Sequence, residues 1–293
     1  MNQNLTRKPD WLKIRPPGGE AFKQVKGLLI SSGLNTVCTE AKCPNVAECW
    51  GCGTATFMIC GDTCTRSCRF CSVQSSRTPD ALNPEEPAKV AEAVKTLKLK
   101  YVVLTSVDRD DLTDGGAGHF AATIKEIKKI NPSVIVESLV PDFSGNKNSV
   151  QTVVASYVDV YGHNIETVKA LHKKVRDPRA DYAQSLETLE KARKHANTIG
   201  HKMYTKSGLM VGLGETNSEI LEAFKDLRTV GVDLITIGQY LQPSKTKLPV
   251  ERYWSPEEFK ELEKQAKAAG FLHVASGPLV RSSYKASELF SHI

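Results

Sequence analysis

Six short runs of mostly apolar, branched residues punctuate the chain from residue 55 onward: 55–61, 101–107, 134–140, 158–161, 208–212 and 234–240. Each is too brief for an amphipathic helix and reads as a strand buried on both faces. Between them the apolar positions change to helical spacing. Val90, Val94 and Leu97 share one helical face, and so do Ile220, Phe224, Leu227 and Val230. The helix starts are marked. Asn83-Pro84-Glu85-Glu86 and Ser255-Pro256-Glu257-Glu258 each offer an N-cap residue, a proline at the first helical position and a glutamate at the third, and Thr216 with Glu219 forms a capping box. Gly231 and Gly270 supply stops. Strands alternating with helices imply a parallel sheet built by crossovers. Six such units predict an α/β fold, a partial (β/α)6 TIM-type barrel with N-terminal and C-terminal extensions. A doubly wound open sheet shares the same local pattern.

The first 54 residues stand outside this alternation and hold four cysteines and several prolines. They predict an N-terminal extension packed over a barrel of residues 55–276, with 277–293 as a C-terminal tail. The length of 293 residues suits one barrel-sized unit. No apolar run approaches the roughly 20 residues of a membrane helix, and residues 1–10 lack the pattern of a signal or transit peptide. The expectation is a cytoplasmic protein with no membrane partner. The net charge of +6 is mild. Its densest stretch, Lys173 to Arg179 with the neighbouring His172, reads as a solvated helix end, with a docking face for an acidic protein as the sharper alternative. No nucleic-acid motif accompanies the charge.

Cysteine placement changes the picture. All eight cysteines lie between Cys38 and Cys71, which argues for metal rather than a disulfide framework. Cys64, Cys68 and Cys71, spaced C-x3-C-x2-C with Phe70 before the last, can ligate three irons of a cubane cluster and leave the fourth open to a small molecule. A structural zinc site wants four ligands, and a ferredoxin supplies a fourth cysteine; a zinc loop borrowing Cys60 is the bland alternative. Cys38, Cys43 and Cys49 form a second triad, again one ligand short. Cys52 makes a C-x2-C pair with Cys49, so a single zinc held by Cys38, Cys43, Cys49 and Cys52 also satisfies the spacing.

The C-x3-C-x2-C run, set directly after the first strand, resembles the signature of the radical S-adenosylmethionine superfamily. Further strings are similar to motifs of the lipoyl synthase family, in that family's order. They are Asn35 to Trp50, Gly61 to Cys71, Thr105 to Asp111, Thr205 to Thr216, Gly238 to Pro243 and Arg281-Ser282-Ser283-Tyr284. The resemblance implies two 4Fe-4S clusters and S-adenosyl-L-methionine as cofactors. Cys64, Cys68 and Cys71 match the ligands of the cluster that cleaves S-adenosylmethionine; Cys38, Cys43 and Cys49 match those of an auxiliary cluster, whose fourth ligand is a serine oxygen, by position Ser282. Cys52 and Cys60 match no ligand.

The resemblance also implies contacts to S-adenosylmethionine. Thr105, Ser106 and Asp108 fall near its methionine end, Gly212 and Gly214 near the adenine, and Phe70 beside the cluster. Glu137, a lone acid in an apolar strand, is placed near the ribose, with an exposed edge or a buried pair as the bland alternative. His163-Asn164 ends the fourth strand near the active site or merely caps it. Gly18-Gly19-Glu20 precedes the barrel and is not taken as the cofactor-binding glycine motif. The implied reaction inserts two sulfur atoms at carbons 6 and 8 of a protein-bound octanoyl-lysine, with the auxiliary cluster as donor. Implied partners are octanoylated lipoyl carrier domains (the 2-oxoacid dehydrogenase acyltransferase subunit and the glycine cleavage H protein) and an electron donor such as ferredoxin or flavodoxin. The competing classes are another sulfur-inserting radical enzyme, an iron–sulfur electron carrier, and a zinc-binding interaction module.

Overall fold

The computed structural model describes residues 8–13, 20–36, 45–51 and 55–283. Eight strands join one sheet: β1 (Asn35–Thr36), β2 (Ala55–Ile59), β5 (Tyr101–Ser106), β6 (Ile135–Leu139), β7 (Val160–Gly162), β8 (Tyr204–Val211), β9 (Leu234–Gln239) and β10 (His273–Gly277). Two short strands, β3 (Thr63–Cys64) and β4 (Gln74–Ser75), pair separately. From β2 to β10 every pairing in the large sheet is parallel, and β1 adds an antiparallel edge. Spatial order follows chain order without the reversal that a doubly wound sheet requires. Side chains from β2, β5, β6, β8 and β9 line one cavity, so the sheet curls about a common interior. That arrangement is the partial barrel expected from the sequence.

The outer layer is helical: α1 (Glu20–Ser32), α2 (Val46–Gly51), α3 (Glu86–Thr96), α4 (Ala117–Ile130), α5 (Lys147–Val154), α6 (His172–Val175), α7 (Tyr182–Thr198), α8 (Asn217–Thr229) and α9 (Pro256–Ala268). Their apolar stripes pack on the sheet. Val90, Phe120, Ile124, Phe224 and Phe259 are all buried in one cluster that also takes in Val25, Leu29 and Trp50 of the N-terminal segment. Each such burial contributes roughly 1.5–3 kcal/mol. The capping boxes at Thr216–Glu219 and Ser255–Glu258 both form, and Gly231 and Gly270 end their helices at φ +82° and +95°.

Three expectations change. The barrel has a seventh parallel strand, β10, where six were expected; it is mostly half-exposed and short of branched residues, so it carries no apolar run. β8 begins at Tyr204 rather than 208, because its first turn of chain buries Lys206 and Ser207 as polar residues with partners. Asn83 does not cap a helix; its side chain accepts from Glu85 N at 3.0 Å in a preceding turn, and α3 starts at Glu86. Among the described residues no helix is long and apolar enough to cross a membrane.

Candidate active site

The C-terminal ends of the parallel strands, where this architecture collects functional loops, surround a cavity of about 580 Å³. The cysteine loop leaves β2 through a sharp turn. Cys60 stands at φ +68° and Gly61 at +90°. Glu86 accepts the Cys60 N–H at 2.9 Å and Arg109 donates to the Cys60 carbonyl at 3.0 Å, so a non-glycine residue is held in the left-handed region. Buried, without a place on the cavity wall, Cys60 is a packing residue, its thiol pushed up by burial.

Cys64, Cys68 and Cys71 all line the cavity. Burial pushes the Cys64 thiol up to about 12 and the Cys68 thiol up to about 11, and raises that of Cys71. Thiolates here need a strong cationic partner. The backbone already provides for one: Arg66 N–H donates to Cys64 Sγ and Asp177 N–H donates to Cys68 Sγ, each at 3.4 Å. Ser106 Oγ, His163 Nε2 and Arg176 Nε are buried without a hydrogen-bond partner among the described residues, and all three residues stand on the cavity wall. Buried polar atoms of this kind call for a ligand. A soft three-thiolate set beside unpaired polar atoms fits an open iron–sulfur cluster with a polar molecule next to it.

The loop sits on a charged seat. Asp108, Asp110 and Asp142 surround the guanidinium of Arg66. Burial, resisted by Arg66, pushes Asp108 up to about 6. Burial opposes ionisation of Asp142 as well, yet its double hydrogen bond from Arg66 outweighs that and holds its carboxyl well below the usual range.

Of the residues singled out in the sequence, Phe70, Thr105, Ser106, Asp108 and Ser282 meet at the cavity with the three cysteines, and His163 and Asn164 join them. Asn164 Nδ2 donates to Ser282 Oγ at 2.7 Å. Glu137 is not there. Its carboxylate is fully buried against Lys206 Nζ, 2.8 Å from each oxygen, and accepts from Tyr101 OH, so the buried-pair reading replaces the ribose contact. Gly212 and Gly214 are likewise off the wall. Gly212 has φ +104° and is closed in by Gln239 and the Arg252 carbonyl, while Glu215 accepts from the N–H groups of Gly212 and Leu213. The motif is a locked turn. Cys49 lies half-buried on α2. Cys38, Cys43, Cys52, Gly18, Gly19 and Tyr284 lie outside the described residues.

Two wall residues were missed. Arg176, counted in a solvated basic run, is only 7% exposed and donates to Ser185 Oγ at 2.8 Å. Lys173 and Lys174 of that run are exposed. Glu166, half-buried on the wall at φ +67°, accepts from Asn164 Nδ2 at 3.1 Å. A glutamate in the left-handed region is uncommon and marks a constrained position, but a sequence does not display φ.

A family model of the radical SAM superfamily matches residues 58–227. The lipoyl synthase of Halorhodospira halophila is 53% identical over 283 residues, covering 97% of this chain and 84% of that protein. That of Myxococcus xanthus is 52% identical, with 97% and 94% covered. The mitochondrial lipoyl synthase of Culex quinquefasciatus is 53% identical, with 98% and 76% covered. Among solved structures, methylornithine synthase superposes with a TM-score of 0.57 at 13% identity, over 76% of this chain and 70% of that one. SuiB of Streptococcus suis bound to S-adenosylmethionine gives 0.55 at 10% identity, over 76% and 50%. At such identities these two speak for the fold alone. The near-full-length relatives decide the narrower question: this chain belongs to the lipoyl synthase family of the radical SAM superfamily.

Proposed function

We propose that the chain inserts two sulfur atoms, at carbons 6 and 8, into an octanoyl group carried on a lysine of a lipoyl carrier domain. In this reading Cys64, Cys68 and Cys71 hold the 4Fe-4S cluster that binds S-adenosylmethionine. Cys38, Cys43, Cys49 and Ser282 hold a second 4Fe-4S cluster, the sulfur donor. The observation that carries the proposal is the convergence of three thiols, three unpaired polar atoms and Ser282 on one cavity. The bound cofactors would supply a 5′-deoxyadenosyl radical able to take hydrogen from an unactivated methylene, and the sulfur that replaces it.

The side chains have narrower tasks: to bind, to orient and to keep water out. Arg176 suits the carboxylate at the methionine end of S-adenosylmethionine, since its Nε is unpaired and a planar guanidinium fits a carboxylate. Asp108, with Thr105 and Ser106 beside it, suits the ammonium of the same end. Asn164 and Glu166 offer groups for the ribose hydroxyls in place of Glu137. Phe70, Leu139, Leu209 and Met210 give an apolar wall for the octanoyl chain. The proposed carriers are the 2-oxoacid dehydrogenase acyltransferase subunit and the H protein, with ferredoxin or flavodoxin as reductant. A cytoplasmic setting is supported by bacterial relatives of similar identity, although the family also has mitochondrial and chloroplastic members.

The test is anaerobic reconstitution followed by reaction with an octanoylated carrier peptide, read by mass spectrometry. Two clusters predict about eight irons per chain and a peptide product that gains two sulfurs. Four irons with a sulfur-containing product would remove the second cluster from the mechanism.

A further inference from the structure

We infer that Arg66 is a positioning residue for the radical chemistry: its guanidinium clamps the three-residue link between Cys64 and Cys68 onto the ends of β5 and β6. The clamp would thereby fix the backbone N–H groups that face the two thiols. The inference rests on the reading that Cys64, Cys68 and Cys71 hold the first cluster.

The residue sits in the middle of the cysteine loop with its side chain 1% exposed. A guanidinium has five N–H donors, and here it makes four hydrogen bonds and one further ion pair to carboxylates. Nε and Nη2 donate to the two oxygens of Asp110, both at 2.8 Å. Nη1 and Nη2 donate to the two oxygens of Asp142, at 2.9 and 2.8 Å. Nη1 also faces Asp108 Oδ1 at 3.3 Å. Two bidentate forks from one planar guanidinium hold position far better than a single contact, and a lysine cannot reproduce them. Asp108 and Asp110 follow β5, and Asp142 follows β6.

The backbone of the link is stitched to the same acceptors. Thr65 N–H and Thr65 Oγ1 both donate to the Asp108 carbonyl at 2.9 Å, and Asp110 N–H donates to Thr65 Oγ1 at 3.0 Å. Ser67 N–H donates to Asp177 Oδ2 at 2.8 Å. Arg179 ties Asp177 to Asp110 from outside, at 2.9 and 3.2 Å. What this scaffold delivers to the thiols is the pair of N–H···S contacts from Arg66 and Asp177. Hydrogen bonds to cluster sulfurs stabilise the more negative, reduced state and so raise its potential. A slack loop weakens both and moves the thiols. Loss of the clamp should therefore lower the potential of the first cluster and slow S-adenosylmethionine cleavage, with iron still bound.

The test is Arg66→Lys in the reconstituted holoenzyme. Iron per chain, thermal unfolding, the midpoint potential from a redox titration followed by electron paramagnetic resonance, and 5′-deoxyadenosine release are measured beside the parent. The expected result is a folded, iron-loaded protein with a more negative first-cluster potential. Cleavage should be about a hundredfold slower, the scale of loss from a displacement near 1 Å. An iron-loaded Arg66→Lys protein with the parent's potential and cleavage rate overturns the inference. Should that variant fail to fold, Asp110→Asn removes one fork only. A smaller negative shift then supports the clamp, and the parent's potential overturns it. Cys68→Ala, made alongside, separates the two readings. If it keeps cluster and cleavage, the ligand assignment has failed; if it loses both while Arg66→Lys matches the parent, only the clamp has failed.

Discussion

Replacing Lys206 with Met should cost about 3–5 kcal/mol of stability, the range for a buried charge stripped of its partner. The geometry sets that expectation. Lys206 Nζ lies 2.8 Å from both oxygens of Glu137, in the barrel interior, with side chains 3% and 0% exposed. Tyr101 OH donates to the same carboxylate, and burial, first, and then that carboxylate raise the tyrosine well above its usual range. Below them Tyr101 and Val103 pack with Ile135 and Ala275, so no water replaces the ammonium. Without Lys206 the Glu137 carboxylate is left buried without its cation, and the tyrosine bond softens the loss toward the lower end. Typical stabilities are only about 5–15 kcal/mol, so the effect is large. Urea unfolding of the apoprotein, followed by circular dichroism, measures it. The double variant Lys206→Met with Glu137→Leu should recover much of the loss, because the charge and its partner leave together. A single variant within about 1 kcal/mol of the parent would refute the reasoning, as would a double variant that costs the sum of the two singles. Since Glu137 does not reach the cavity, folded Glu137→Gln protein should bind S-adenosylmethionine as the parent does.

Other expected outcomes concern the site. Cys43→Ala should still release 5′-deoxyadenosine but form no lipoyl product, and product from a single turnover would move the sulfur donor elsewhere. Ser282→Ala should slow product formation and alter the spectrum of the second cluster; an unmodified rate removes the serine ligand. Arg176→Met should raise the KM for S-adenosylmethionine about ten- to a hundredfold, as the loss of one charged hydrogen bond of 1.5–3 kcal/mol implies, and an unchanged KM counts against it. Burial, followed by the nearby Arg176 charge, holds His163 and His172 down at about 4, below their ordinary 6.5. Between those values the unfolded chain binds more protons, so their stability is whole above 6.5 and falls as pH drops toward 4. Asp108, raised from 3.8 to about 6, and Glu166, also raised by burial, oppose this, while Asp142 and Asp177, held low against burial by their arginine partners, add to the loss as pH nears 4. Urea midpoints flat from pH 7 to 4 would contradict this balance.

Legibility followed the physics of each signal. Strand–helix alternation and the capping boxes at Thr216 and Ser255 are local, and both appear in the structure. β10 was invisible because, Val274 apart, its residues are half-exposed and unbranched. Glu137 reads as a lone acid in an apolar strand and Lys206 precedes the strand expected from 208, and one explains the other only when β6 and β8 are seen to face a shared interior. Arg176 and Lys174 are both basic residues of one run; the backbone turns the first inward and leaves the second paired with Glu251. Charge runs average over such differences. The cysteine spacing was plain, while the seat beneath it was not. Arg66, Asp110 and Asp142 read as ordinary loop charges until 76 residues of chain are folded back between Arg66 and Asp142.

The tail shows why a serine there carries little signal of its own. Ser282 reaches the cavity because the backbone before it docks against bare chain. A Cβ at Gly238 would collide with the Val280 carbonyl oxygen, so β9 must be naked where the tail crosses. Asn45 Nδ2 donates to the Leu279 carbonyl at 2.5 Å, which ties the tail to the segment just after Cys43. Gly208 performs the matching service for Asn164: a Cβ there would stand 2.8 Å from Asn164 Oδ1 and 2.7 Å from Thr236 Oγ1. The amide that holds Ser282 therefore occupies space that only glycine leaves open. Two glycines, on β8 and β9, position a serine that neither adjoins in sequence. An Ala at either place would push the tail outward and carry the hydroxyl away from the cavity, without changing a polar residue.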